Sequence, residues 1–460
     1  MTNFQELKRY KKIYMIGIGG ISMSGIAEIL KNWGFNVSGS DISSSEITDK
    51  LISNGINVTI GHNIQELSSS DLVVYSAAIK QNDIELLRAH ELGIPIIERA
   101  DFLGEITKSF RNTICISGTH GKSTTTSMVS MCFLEAHKDP TIQIGAALDS
   151  IGGNYRIGNS DYFILEACEY VESFLKFYPK AEIILNIDND HLDYYGSIDN
   201  IKNAFIKYVK LLPDDGILVY NADDKNCIHL SKYTKAKSLT FGLDTSSANF
   251  VAKNISYDKN GYPSFDVYYN NSFYKTMKLS IPGRHNVLNA LSCIALCNEF
   301  GIDKNDIKNG LLKYKGAHRR FEYIGEFNNV KVYDDYGHHP TEIDAVANAL
   351  KKKQYNHSWI VFQPHTYSRT KNLLDEFAKS LTNFDNIIVT DIYAARESDT
   401  YNVSAKDIVD KIDAMGRTAY YISNFDDIVD FIKRNAKPND IVLTQGAGTV
   451  TQIGPKLVNN

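Results

Sequence analysis

Short apolar runs alternate along the chain with stretches in which apolar residues recur at helical spacing. Residues 12–16 (KIYMI) form the first run; after a glycine-rich turn, Ile26, Ile29 and Leu30 mark one helix face, and residues 36–41 (NVSGSD) return as a strand. Strand, glycine turn, helix and strand make a βαβ unit of Rossmann type. Residues 71–76 (DLVVYS) predict another parallel strand whose C-terminal end faces the same crevice. The pattern restarts at residues 113–117 (TICIS), which pass through a second glycine turn into a helix, and continues in the runs 162–165 (YFIL) and 183–187 (IILNI). From Ala248 to Lys278 apolar and polar residues alternate, which is the period of antiparallel strands. Runs at 332–334, 359–362, 387–390 and 441–443, separated by helical stretches, predict a further doubly wound unit.

At about 150 residues per domain, a chain of 460 residues predicts three domains. The pattern places them at 1–110, 111–316 and 317–460. The fold class is α/β. A Rossmann-like N-terminal domain precedes a central P-loop ATPase-type domain with a mostly parallel sheet and added antiparallel strands, and a Rossmann-like C-terminal domain follows. A net charge of -5 gives no basic footprint for nucleic acid. The longest apolar stretches, such as 288–297, fall well short of the ~20 residues of a membrane span, and the N-terminus lacks a signal-peptide pattern. A cytoplasmic enzyme without stable membrane association is the expectation. Cys115, Cys132, Cys168, Cys227, Cys293 and Cys297 contain no Cys-x-x-Cys pair and read as small buried hydrophobes.

The chemistry concentrates at strand ends. Gly118-Thr119-His120-Gly121-Lys122-Ser123-Thr124 follows the strand 113–117, so backbone N–H groups, a lysine and hydroxyls converge as a polyphosphate requires. Only two residues separate Gly118 from Gly121, a shorter loop than the usual P-loop; a plain helix start with a solvated lysine is the competing reading. The first turn, Gly17-Ile18-Gly19-Gly20-Ile21-Ser22-Met23-Ser24-Gly25, puts Ser22 where a dinucleotide fingerprint has its third glycine, with Asp41 at the ribose-binding position. A dinucleotide, another nucleotide-containing ligand and a turn needed only for packing all remain open there.

Magnesium accompanies ATP and takes hard oxygen ligands, which Glu166 and the hydroxyls of Ser123 or Thr124 supply; Glu169 competes for the role, and His191 beside Asp190 is a less usual ligand. In Pro282-Gly283-Arg284-His285-Asn286-Val287-Leu288-Asn289 the amides of Asn286 and Asn289 offer the donor and acceptor of an adenine edge, against a helix-capping role for Asn286. Arg320 lies at a domain junction where an arginine can reach a γ-phosphate, while Arg319 reads as a surface ion pair. Asp334-Asp335-Tyr336-Gly337-His338-His339-Pro340-Thr341-Glu342 and Phe362-Gln363-Pro364-His365-Thr366-Tyr367-Ser368-Arg369 follow two successive strands. Gly446-Ala447-Gly448-Thr449 fits a phosphate loop or a tight turn equally.

In this order, and spread over nearly the whole chain, these motifs resemble those of the Mur ligases. The resemblance implies an amide-forming ligase of peptidoglycan precursor synthesis that uses ATP and Mg2+. ATP phosphorylates the lactyl carboxylate of UDP-N-acetylmuramate, and the amine of L-alanine attacks the acyl phosphate. It further implies Lys122, His191, Arg320 and His338 as catalytic residues, with Gly118, Thr119, His120, Gly121, Lys122, Ser123, Thr124, Asn286, Asn289, Arg320 and Asp335 at ATP. Ser123, Glu166 and His191 would hold metal. Gly17, Gly19, Gly20, Met23, Ser24, Ser40, Asp41, Ser76 and His120 would meet the UDP-sugar, and Tyr336, His338, His365 and Arg369 the amino acid. Two departures stand out: Ala167-Cys168-Glu169 replaces the Asp/Ser-rich stretch that many members carry after the metal-site glutamate, and Thr366 stands where many have an arginine. A nicotinamide-dependent oxidoreductase, a non-catalytic nucleotide module and a ligase that attaches a preformed peptide to the same nucleotide sugar are the rival readings.

Overall fold

The computed structural model describes residues 7–395 and 397–459. Three α/β domains follow one another, each built on a mostly parallel sheet. By compactness the chain divides into a first unit, running to Ile187 with Ile201–Asn249 and Ser292–Gly310, and a second of Asp188–Asn200, Phe250–Leu291 and the residues from Leu311 on.

In the first unit, β1 (Lys12–Ile16), β2 (Asn36–Asp41), β3 (Asn57–Ile60), β4 (Leu72–Tyr75) and β5 (Ile96–Glu98) are parallel, in the order β3-β2-β1-β4-β5. Helices cover both faces, so β1 buries four consecutive residues and reads as an unbroken apolar run. Strand order reverses between β1 and β4, which opens a crevice at their C-terminal ends, beside Gly17 and Ser76. The unit's second sheet contains β6 (Asn112–Ser117), β7 (Thr141–Leu148), β8 (Gly153–Arg156), β9 (Tyr162–Glu166), β10 (Ala181–Ile184), β11 (Ile217–Asn221) and β12 (Lys237–Gly242) in the order β12-β11-β10-β6-β9-β7-β8. Of these neighbours only β7 and β8 are antiparallel. The run expected at 183–187 leaves the ladder after Ile184, because Leu185 and Asn186 turn to support the loop after β6.

In the second unit, β13 (Phe250–Tyr257), β14 (Pro263–Tyr269) and β15 (Ser272–Lys278) form the antiparallel meander that the alternation predicts. Asn270 and Asn271 both adopt positive φ at its second turn, the conformation that matches strand twist in a two-residue hairpin. Asn328 and Asn329 repeat this device between β16 (Glu322–Phe327) and β17 (Val330–Asp335). These join β18 (Ser358–Phe362), β19 (Asn386–Val389), β20 (Ala419–Tyr421) and β21 (Ile441–Gln445) in the order β16-β17-β21-β18-β19-β20, parallel except for the β16–β17 hairpin. An apolar cluster covers each face, one around Ile360 and Phe377 and the other around Val361 and Ile432. The site-bearing ends of β17 and β18 therefore stand on a rigid support.

Candidate active site

In the first unit, β6 lies between β9 and β10, with Ile116 opposite Glu166 and Ser117 opposite Ile184. The loop after β6 therefore emerges beside Glu166. Gly118 has φ +134°, and a Cβ there would stand 3.0 Å from Leu185 Cβ and 3.1 Å from the Asn186 nitrogen. Asn186 clamps the loop from the other strand: its Oδ1 accepts from the His120 N–H at 2.7 Å, its Nδ2 donates to the His120 carbonyl at 3.0 Å, and its own carbonyl accepts from the Thr119 N–H at 3.1 Å. Gly121, with φ +86°, starts the helix Lys122–Glu135. The short spacing is thus a tight turn held by two strands, in which any side chain at Gly118 would be strained and crowded.

Lys122 is not a solvated lysine. Its Nζ donates to the carbonyls of Gly118 at 2.7 Å and Thr119 at 3.0 Å, and pairs with Glu169 Oε2 at 3.0 Å. Burial alone would weaken the ammonium, but the Glu169 carboxylate outweighs it and holds the pKa above the ordinary lysine value. Glu169 is buried, whereas Glu166 is half-buried and its Oε1 accepts from the Gly145 N–H at 2.8 Å. The two acids that compete in the sequence thus have different work: Glu169 neutralises Lys122 and Glu166 stands at the end of β9. Thr119 and Ser123 are buried at the loop, while His120 and Thr124 are partly exposed.

The N-terminal turn is held from below. Gly17 and Ile18 N–H groups donate to the Ser40 carbonyl at 2.8 and 3.0 Å, and the Gly19 N–H donates to Asp41 Oδ2 at 2.8 Å. Ser22, the departure from the dinucleotide fingerprint, takes a hydrogen bond on Oγ from Gln143 Nε2 at 2.8 Å, and Gly25 lets the helix Ile21–Asn32 approach Tyr155. This serine and this glycine therefore pack the turn against β7 and β8. Met23 and Ser24 are buried, and the Ser40 hydroxyl donates to Glu85 Oε2 at 2.6 Å. Ser76 Oγ accepts weakly from the Ala78 N–H at 3.4 Å. Glu85, which the sequence reading passed over, also accepts from Tyr14 Oη and the Asn63 N–H and ties β1, β2 and the helix start at Asn63 together.

In the second unit, Tyr336, His338, His365 and Arg369 come together. The rings of Tyr336 and His338 lie 5.5 Å apart and those of His338 and His365 5.3 Å apart. His338 Nδ1 lies 3.2 Å from the Tyr336 carbonyl, which can only accept, so Nδ1 carries the proton and Nε2 keeps its lone pair. Arg369 Nη1 lies 3.0 Å from His365 Nδ1, and a guanidinium can only donate, so that nitrogen is the acceptor. Burial holds His338 at about 4 and, with the Arg369 guanidinium, holds His365 at about 3, so both rings are neutral near pH 7. Asp190 Oδ1 accepts from Arg369 Nη2 at 2.7 Å and Nε at 3.1 Å, and from the His191 N–H at 2.7 Å. His339 caps the helix Pro340–Leu350 and touches the Asn189 carbonyl through Nε2 at 3.0 Å.

Arg320 lies over the Tyr336 ring at 5.3 Å and faces Asp335 electrostatically. Burial raises the Asp335 carboxyl to about 6 although Arg320 and backbone N–H groups pull it down; its oxygens accept from the Phe321 and Gly337 N–H groups. Asn286 Nδ2 donates to the Pro282 carbonyl at 2.7 Å and its Oδ1 accepts from Asn289 Nδ2 at 3.2 Å, so Asn286 does brace the helix start. Arg319, expected at the surface, instead pairs with buried Asp334 at 3.2 Å and donates to the carbonyls of Gly446 and Gly448. With Val450 N–H on Gln363 Oε1, these bonds close the Gly446–Thr449 segment as a structural turn. Of the cysteines, five are buried and Cys168 is exposed.

Similarity to known proteins runs nearly the length of the chain. The Mur ligase family, catalytic domain, matches residues 12–111, the Mur ligase middle domain residues 116–297, and the Mur ligase, glutamate ligase domain, residues 319–448. The UDP-N-acetylmuramate--L-alanine ligase of Acetivibrio thermocellus is 50% identical over 446 residues, covering 97% of this chain and 95% of that one. The crystal structure of the UDP-N-acetylmuramate-alanine ligase of Thermotoga maritima superposes with a TM-score of 0.83 at 31% identity, covering 97% and 98% of the two chains. A murein peptide ligase from Psychrobacter arcticus gives 0.72 at 26% identity, covering 97% and 98%.

Proposed function

The chain belongs to the Mur ligase family, and on that premise we propose that it joins L-alanine to the lactyl carboxylate of UDP-N-acetylmuramate with ATP, in cytoplasmic peptidoglycan precursor synthesis. The observation that carries the reading is the loop Gly118–Thr124, which holds a mostly buried, charged Lys122 just after β6, beside Glu166. The identity of 50% to an L-alanine ligase, against 26% to a peptide ligase, favours the free amino acid over a preformed peptide. No helix among the described residues is long and apolar enough to cross a membrane. We take the domain boundaries near residues 110 and 316.

The donor set fits the nucleotide and its metal. Gly118 leaves backbone space that a Cβ would fill, and Lys122 supplies a fixed positive charge to the phosphates. Ser123, Thr124 and Glu166 are hard oxygen ligands of the kind Mg2+ takes, with His191 as a nitrogen ligand. Bound Mg2+ would neutralise phosphate charge during phosphoryl transfer. Asn289 would read the adenine edge with Asn286 bracing it, Arg320 would meet the phosphates, and Asp335 would orient Arg320 near the ribose. The crevice at Gly17, Gly19, Gly20, Asp41 and Ser76, with His120, would hold the UDP-sugar, while buried Met23, Ser24 and Ser40 shape it from behind.

The carboxylate oxygen of the sugar attacks the γ-phosphorus, ADP leaves, and the acyl phosphate then has a leaving group that an amine can displace. An α-ammonium cannot attack, so it must first give up a proton. Neutral His338, its Nδ1–H fixed on the Tyr336 carbonyl, offers Nε2 for that proton. The amine forms the amide as the acyl C–O bond breaks and phosphate departs. Incubation with UDP-N-acetylmuramate, Mg2+, ATP and either L-alanine or a tripeptide tests the reading. Phosphate release that requires L-alanine is expected; release with the tripeptide alone would assign the peptide reaction instead, and release with neither would refute ligation.

A further inference from the structure

We infer that Asp190 and Arg369 together form the receptor for a zwitterionic α-amino acid, Asp190 Oδ2 taking the ammonium and Arg369 the carboxylate. The inference rests on the ligation proposed above and adds a residue and a recognition rule to it. Asp190 Oδ1 is saturated by three donors: Arg369 Nη2 at 2.7 Å, Arg369 Nε at 3.1 Å and the His191 N–H at 2.7 Å. Oδ2 accepts no hydrogen bond among the described residues; His191 Nε2 stands 3.8 Å away, beyond hydrogen-bond reach. A carboxylate fixed through one oxygen and open at the other is a ready acceptor for an ammonium group.

Arg369 is fixed in the same way. Nη1 donates to the His365 carbonyl at 2.9 Å and faces Nδ1 of that ring, so four of its five N–H groups have defined partners and one on Nη2 remains for a ligand. The pair is mostly buried, with side chains 9% and 11% exposed. Its two charges cancel, which suits a ligand that carries one of each sign. A lone buried arginine would favour any small carboxylate, whereas this pair favours a carboxylate with an ammonium beside it. Neutral His338 and His365 add no third charge to this balance. With Thr366 donating or accepting only a hydroxyl bond with Ser368, the neighbouring helix start brings no second guanidinium, so discrimination falls on Asp190.

The test uses the full chain. Asp190→Asn keeps an oxygen for Arg369 and the His191 N–H but removes the negative charge. Expected for D190N is a rise of about 10- to 100-fold in KM for L-alanine, the loss of one charged hydrogen bond, with KM for ATP and the Mg2+ requirement held and the folded circular-dichroism spectrum retained. Inhibition by propionate, which has the carboxylate and no ammonium, stays equal or improves in D190N and weakens in Arg369→Gln. If propionate weakens in D190N as much as alanine, Asp190 only holds Arg369 and the receptor role is overturned. An unchanged KM for alanine, or a raised Mg2+ requirement with alanine unaffected, also overturns it. Calorimetric binding of L-alanine separates the two readings: alanine bound by the wild type and lost in D190N without turnover refutes ligation alone, whereas turnover with unaltered alanine binding in D190N refutes this inference alone.

Discussion

Glu169 Oε2 lies 3.0 Å from Lys122 Nζ and closes a buried ion pair across the base of the phosphate loop. Without nucleotide, the carboxylate compensates an ammonium that also leans on the carbonyls of Gly118 and Thr119. Removing one member of a buried pair leaves the other uncompensated, at a cost of about 3–5 kcal/mol. Glu169→Gln is therefore expected to lower the melting temperature of the unliganded protein and to recover part of the loss when ADP and Mg2+ are added. Thermal melts with and without nucleotide check this: a nucleotide-induced shift no larger than in the wild type would show that Glu169 does not stand in for phosphate.

A side chain at Gly118 would be strained and crowded. Alanine would carry a strained φ of +134° and press on Leu185 and Asn186. The backbone strain alone is worth about 1–3 kcal/mol, and its release would loosen the hydrogen bonds from Asn186 to His120. Gly118→Ala should raise KM for ATP by about tenfold or more, while Gly34→Ala, at a positive φ with open space around it, should leave ATP use intact. Steady-state kinetics of both variants decide the matter.

Glu166 sits at the end of β9 with one oxygen on the Gly145 N–H, whereas Glu169 is consumed by Lys122. Glu166→Ala should therefore raise the Mg2+ concentration for half-maximal phosphate release by about tenfold, the scale of one lost metal-orienting contact. Titration of Mg2+ at saturating ATP measures it; an unmoved midpoint would shift the metal role away from Glu166.

His338 and His365 give stability a sign with pH. Both are held below the ordinary value of 6.5, at about 4 and about 3, so the folded state binds fewer protons than the unfolded state between those limits. Their contribution is fully present above pH 6.5 and is lost as pH falls toward 4. At pH 5 each imidazole accounts for about 2 kcal/mol of lost stability, at about 1.4 kcal/mol per pH unit. Denaturant unfolding at pH 7.5 and pH 5 should show His365→Asn with a smaller drop than the wild type. An equal drop would assign the acid sensitivity to other groups.

Much of this site is legible in the chain itself. The run 113–117, followed by Gly118, Gly121 and Lys122, announces a strand, a tight turn and a helix start, since glycine takes the positive φ at 118 and 121 without strain. The alternation from Ala248 to Lys278 yields the meander, with its Asn-Asn turn, and the clusters after β17 and β18 place His338, His365 and Arg369 at the ends of two strands that β21 separates in the sheet. These are local signals of spacing, turn chemistry and motif order, each carried by a few adjacent residues. Partner choice is different, because it depends on which strands lie side by side. Glu166 and Glu169 are three residues apart and equal as letters; only the β6–β9 register and the path after β9 give one to the strand end and the other to Lys122. Asn186 became a loop clamp because β10 lies beside β6, and Arg319 became a half-buried brace on buried Asp334 because β17 lies beside β21. Asp190 met Arg369 across 179 positions of sequence. A hydrogen bond needs two groups within about 3 Å and aligned, a condition that the sequence sets only for near neighbours and the tertiary fold sets for all the others.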